Sequence, residues 1–335
     1  MKDTHKRQKE MDISGKMSVF HSLQNRIQGW FQPSDPDHEL IDYVVNIIEP
    51  KLKLAKDYRN RLRGPLEICR EHCRAMVAEI PGPIQLKRNG YGGDPFVRAA
   101  FAKSELLEDL LNQADLTRSS ALLSGTVRVA LLTMTSREKT IFGRKQFGDL
   151  LVADAAMRAV TFTDHAMVGL STTLESSRQA LEKHSLDILA EAAARQLSEI
   201  RTRLVDLNQR QEWLRAMEKM FGSGTGASMG CVFVPYDPEK AKKQKQIEQL
   251  LAETEDEIAS TRRRSETPDD WLTIVESILS KPDDILNMQL ISLRLNWKNV
   301  LTDDPSEKAD TITFATFTMA DEMQREGVLV EYEIG

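Results

Sequence analysis

The densest grouping of metal-ligand side chains in the sequence is Ile68-Cys69-Arg70-Glu71-His72-Cys73. Cys69 and Cys73 stand one helical turn apart with His72 beside them, a set that suits a soft cation or thiol redox chemistry. A closed zinc site takes four ligands and a catalytic one three plus water, and no second Cys/His pair accompanies this set. The order also departs from the C-x-x-C-H of haem attachment. Both cysteines fall on an apolar stripe, where a free thiol packs as a small hydrophobe, so core packing is the favoured role and no metal or cofactor is assigned. Asp164-His165 follows the strand-like Val160 to Phe162, so an acid and a potential base leave a sheet together. A turn-capping Asp beside a surface His is the simpler account of that pair. No serine meets G-x-S-x-G, and the six histidines at 5, 21, 38, 72, 165 and 184 are scattered. Asp35, Asp37, His38 and Glu39 look like a carboxylate cluster, and helix capping explains them more simply because acids favour the first turn of a helix.

Gly222-Ser223-Gly224-Thr225-Gly226, followed by Gly230, invites a phosphate-loop reading, since exposed backbone amides can cradle anions. A P-loop needs a lysine after its last glycine and a strand before its first, and here no lysine follows and a long helix precedes. A flexible tip between two helices fits better. Three basic clusters offer binding in place of catalysis: Arg59, Arg61 and Arg63; Lys240, Lys242, Lys243 and Lys245; and Arg262, Arg263 and Arg264. Such patches can neutralise phosphates, but Glu239, Glu248 and Glu253 to Glu257 lie close by and no aromatics interleave. A solvated helix face is the favoured reading of them. The whole chain, with 45 Lys and Arg against 51 Asp and Glu over 335 residues, is no polycation.

The elements that must hold these residues are mostly helical, since apolar content is 41% and aromatic content only 6%. Residues 1–35 read as a mobile tail and a short amphipathic helix, with Phe20, Leu23, Ile27 and Trp30 on one face. Phe20 to Phe31 is the one segment suited to peripheral membrane contact, and packing on the body is favoured for it because few Lys or Arg line its polar face. Over 36–83 the positions Ile41, Val45, Ile48, Leu52, Ala55, Tyr58, Leu62, Leu66, Cys69, Cys73, Met76 and Ile80 step by three or four, which predicts one long helix. Pro50 and Gly64-Pro65 each threaten it at about 3 kcal/mol. Residues 84–172 are mixed: a loop, a helix started by Asp94-Pro95, then at least two strands.

Residues 173–264 carry the most sustained period. Leu186, Leu189, Ala193, Leu197, Ile200, Leu204, Leu207, Gln211, Leu214 and Met217 form a seam, answered by Ile247, Leu251, Thr254 and Ile258 after the Gly-rich tip. This predicts an antiparallel, coiled-coil-like helical hairpin arm whose first helix is about 70 Å long. Residues 265–335 read as a helix, opened by Thr267-Pro268, and an antiparallel β-meander with runs at Ile291 to Trp297, Thr311 to Met319 and Val328 to Ile334. The predicted class is therefore α+β, predominantly helical, with the meander and the strands of 125–170 in one sheet. Three cysteines make no disulfide framework, no signal-peptide core or 18-residue apolar span is present, and a cytoplasmic setting is expected.

Four phrases, Ile41-Asp42-Tyr43-Val44-Val45, Glu79-Ile80-Pro81-Gly82-Pro83, Asp94-Pro95-Phe96-Val97-Arg98-Ala99-Ala100-Phe101 and Val160-Thr161-Phe162-Thr163-Asp164-His165, resemble an uncharacterised proteobacterial family of hypothetical proteins over roughly residues 40–220. The resemblance implies a bacterial cytoplasmic setting and transfers no site residue. The function read from the residues is a non-enzymatic protein–protein interaction or scaffold component that self-associates through Leu186, Leu189, Leu197, Ile200, Leu204, Leu207 and Leu214. One alternative is nucleic-acid association through Arg262, Arg263 and Arg264, and another is an enzyme centred on Asp164 and His165.

Overall fold

The computed structural model describes residues 36–88, 91–116, 125–147, 150–222, 238–319 and 323–335. The expectations placed on 1–35, on the tip at 223–230, on Cys231 and on the helix caps Asp35 and Asp237 lie outside these residues.

Two helices, α1 (Pro36–Ile48) and α2 (Tyr58–Glu79), replace the single long helix expected over 36–83. Pro50 has no N–H to continue the ladder and opens a 3-10 turn, Pro50–Leu54, whose start is capped by the Glu49 carboxylate. Asp57, at φ 53, then turns the chain back on itself. The Asp42 carboxylate accepts from Tyr58 and Arg59 while Asp37 accepts from Arg63, so α1 and α2 run antiparallel. The apolar stripe is correct nonetheless, because each of its members is buried apart from half-buried Tyr58. Pro65 stays inside α2. Its cost of about 3 kcal/mol is outweighed by Leu62, Leu66 and Met76 buried on either side of it, each contributing about 1.5–3 kcal/mol.

The helix expected after Asp94-Pro95 is two. Asp94 accepts from the amides of Phe96 and Val97 to start α3 (Pro95–Ala100), and after a break α4 (Ser104–Leu116) follows. The loop expected from 84 holds a short strand, β1 (Ile84–Leu86). Then come β2 (Val127–Phe147) and β3 (Leu150–Ser171), helices α5 (Leu174–Gly222), α6 (Pro238–Arg263) and α7 (Pro268–Leu279), and strands β4 (Leu286–Asn296), β5 (Ala309–Met319) and β6 (Gln324–Glu333). A capping box opens α7, Thr267 bonding the Asp270 amide and Asp270 bonding back to Thr267.

All six strands share one sheet in the order β3-β2-β6-β5-β4, with β1 added beside β6 as its parallel member. The C-terminal strands and the 125–170 strands are joined where Val127 to Met134 pairs with Glu333 to Glu326. The sheet then curls. Leu301 bridges to Leu295 on β4 while Val300 bridges to Ala159 on β3, so the two outer edges meet through this short segment. β5 and β6 pair only over Ala315 to Thr318 and part beyond it. The concave interior is filled from α3 and α4 by Phe96, Phe101, Leu107 and Leu111, packed with Leu132, Phe162, Phe314 and Val330. The convex face carries Leu131 and Leu329 under Val77, Ile80 and Leu181 from α2 and α5. Among the described residues no helix is long and apolar enough to cross a membrane.

Candidate functional site

Asp164 and His165 do not form a working pair. The register of β2 on β3 shifts between Thr133 and Thr135, and Asp164 takes up that irregularity at φ 55. Its carbonyl accepts from Arg325 at 2.9 Å and its carboxylate from Thr163 at 3.2 Å. His165 stacks on Phe101 at 4.6 Å between centroids, and its Nε2 lies 2.9 Å from the Ala100 carbonyl, to which it must donate. Burial pushes its pKa below the ordinary 6.5, against the opposing pull of that carbonyl. This imidazole is a neutral anchor between β3 and α3.

The cysteine cluster divides in the same way. Cys69 and Cys73 sit in the α2 core, Cys69 donating to the Leu279 carbonyl at 3.1 Å, and burial raises both thiols to about 12. His72 turns aside to the Leu286 carbonyl at 2.8 Å and to Asp283 at 3.0 Å. No thiolate nucleophile is available here at neutral pH.

The basic clusters separate too. Arg59 pairs with Asp42, Arg63 with Asp37, and Arg61 reaches Glu276 and Asp269, so all three tie α2 to α1 or α7. Lys242, Lys243 and Lys245 are exposed at the start of α6, and Arg262, Arg263 and Arg264 at its end. At ~1.5 Å per residue these groups stand about 30 Å apart with an acidic stretch between them, which is no single phosphate-tracking surface.

The seam is buried as its period requires, and the partner is the chain itself. Leu186, Leu189 and Leu197 enter the core formed with α1, α2 and α7. Farther along α5, Leu207 and Leu214 are buried, Ile200 and Leu204 are half-buried, and α6 packs on this stretch with Ile247, Thr254 and Ile258 buried. Arg203 pairs with Glu257 and Arg215 with Glu255, so the numbering falls on α6 as it rises on α5 and the helices run in opposite directions. Gln211, the polar member of the seam, donates to Glu255 at 3.0 Å.

Among the described residues, nothing packs over a second face of distal α5. Trp213 is 60% exposed, Val205 55% and Met220 78%. Spaced eight and seven residues apart, they fall on one side of the helix, roughly opposite Leu204 and Gln211. Sequence reasoning passed over them because the seam claimed every apolar residue that fitted its period; two turns of spacing from Trp213 in each direction was the available signal. No family model matches the chain, and neither a curated protein nor a solved structure was found to match it.

Proposed function

We propose that this protein is a non-enzymatic interaction component that self-associates through its distal arm, the coiled-coil-like hairpin of α5 and α6. The observation that carries the reading is the Val205, Trp213 and Met220 face, left uncovered after the seam has been buried within the chain. A buried Trp contributes about 150–250 Å² of contact, and aromatic anchors dominate interface energetics. A two-fold contact would bring this face against its own copy, which needs no second surface.

The contact is therefore assigned to Trp213 and its neighbours and not to the leucine seam. The test uses Ala216→Cys, an exposed position beside Trp213, in a Cys231→Ser background with a short bis-maleimide linker. A covalent dimer that disappears on adding Trp213→Glu is expected. A cross-linking yield unaffected by Trp213→Glu, or no dimer at tens of micromolar protein, would overturn the reading.

A further inference from the structure

Between the convex face of the sheet and helices α2 and α5 lies a cavity of about 220 Å³. Leu131, Val168 and Phe317 form its floor, Val77, Ile80 and Leu181 line its helix side, and the exposed His184 also lines it, leaving it open to solvent. A well-packed interior keeps few voids larger than a water, and an apolar cavity of roughly 150 Å³ is enough to hold benzene. At ~30 Å³ per water-sized atom, this one takes about seven non-hydrogen atoms.

One full positive charge lines it. Arg325, on β6, donates to Thr133 at 3.2 Å, Thr135 at 3.2 Å and the Asp164 carbonyl at 2.9 Å. All three acceptors are neutral, and among the described residues no carboxylate pairs with this guanidinium. Those bonds occupy three of its five N–H donors and leave two. A guanidinium that pairs with no described carboxylate at the wall of an apolar cavity is matched by an anion carrying an apolar tail, and a carboxylate suits its donor geometry.

We infer that this cavity binds the free form of a medium-chain carboxylic acid, with the carboxylate on Arg325 and about seven tail atoms among Leu131, Phe317 and Leu181. Titration calorimetry of the full chain with octanoate, octanol and hexadecanoate tests this directly, with melting temperatures confirming that each variant folds. Octanoate should bind at least tenfold more tightly than octanol. Arg325→Met should erase that difference, and Val168→Phe should abolish both affinities by filling the floor. Ile188→Phe, on the opposite wall, repeats the filling test should Val168→Phe not fold. The assignment is overturned if millimolar octanoate gives no heat, if Arg325→Met binds octanoate as well as the natural chain, or if both filled variants retain it. Tighter binding of hexadecanoate than octanoate would equally overturn it, in favour of a long acyl chain that extends beyond the cavity.

Discussion

His165 and the two cysteines of α2 carry groups able to act as base or nucleophile, and burial disarms them in opposite senses. The imidazole is held neutral, so its folded pKa lies below 6.5, and the unfolded chain binds the extra proton first as pH falls. The stabilisation this histidine gives is complete above its unfolded pKa and is lost as pH drops through 6.5 toward the folded value. The slope is at most about 1.4 kcal/mol per pH unit. Denaturant titrations between pH 7.5 and about 5 should therefore show a steeper loss in the natural chain than in His165→Gln; parallel curves would show that His165 is solvated in the fold. For the thiols, a pKa near 12 predicts that Cys69 and Cys73 in a Cys231→Ser background react with a disulfide reagent only as fast as the protein opens. Labelling within seconds under native conditions would contradict their placement on Leu279 and in the α2 core.

At the scale of the element, burial was more legible than geometry. The stripe from Ile41 to Ile80 names buried residues correctly, but the step of three or four runs unbroken across Glu49 to Asp57. Nothing in the period reports that Pro50 and the left-handed Asp57 fold the chain back. The strand alternation is read correctly over Ile291 to Leu295 and at 328–334 for the same reason, since side-chain period is local, but Trp297 falls beyond β4 in a turn and is 72% exposed. The three-residue β1 is too short to carry a period, and the curl of the sheet depends on Val300 meeting Ala159, a pairing set by tertiary packing. At the site, the seam and its pairing with α6 were visible, the entry of Leu186, Leu189 and Leu197 into the core with α1, α2 and α7 was not, and Trp213 was missed. The distal arm gives its own test. The exposed pairs Arg203–Glu257 and Arg215–Glu255 should each contribute only about 0.2–1 kcal/mol, whereas Leu214→Ala should cost about 2–5 kcal/mol locally. Hydrogen exchange in 203–220 and 247–258 should then quicken by roughly thirtyfold or more while β6 and α2 keep their protection. Equal quickening in β6 would show that the arm does not open as a separate unit.

Taken as a whole molecule, the chain buries its apolar surface around the sheet and along one side of the paired helices α5 and α6. The sheet covers its interior with α3 and α4 and part of its convex face with α2 and α5, while the far ends of β2 and β3 stand clear of these helices with Phe142 exposed. Distal α5 buries one side against α6, and Val205, Trp213 and Met220 stand exposed on the other. Self-association through this face is the central claim, and sedimentation equilibrium of the full chain measures it most directly. The natural protein should sediment as a dimer at tens of micromolar, and Trp213→Glu with Met220→Glu should sediment as a monomer with an unchanged melting temperature. A natural protein that is monomeric throughout that range, or a double variant with the same mass as the natural protein, would contradict the account.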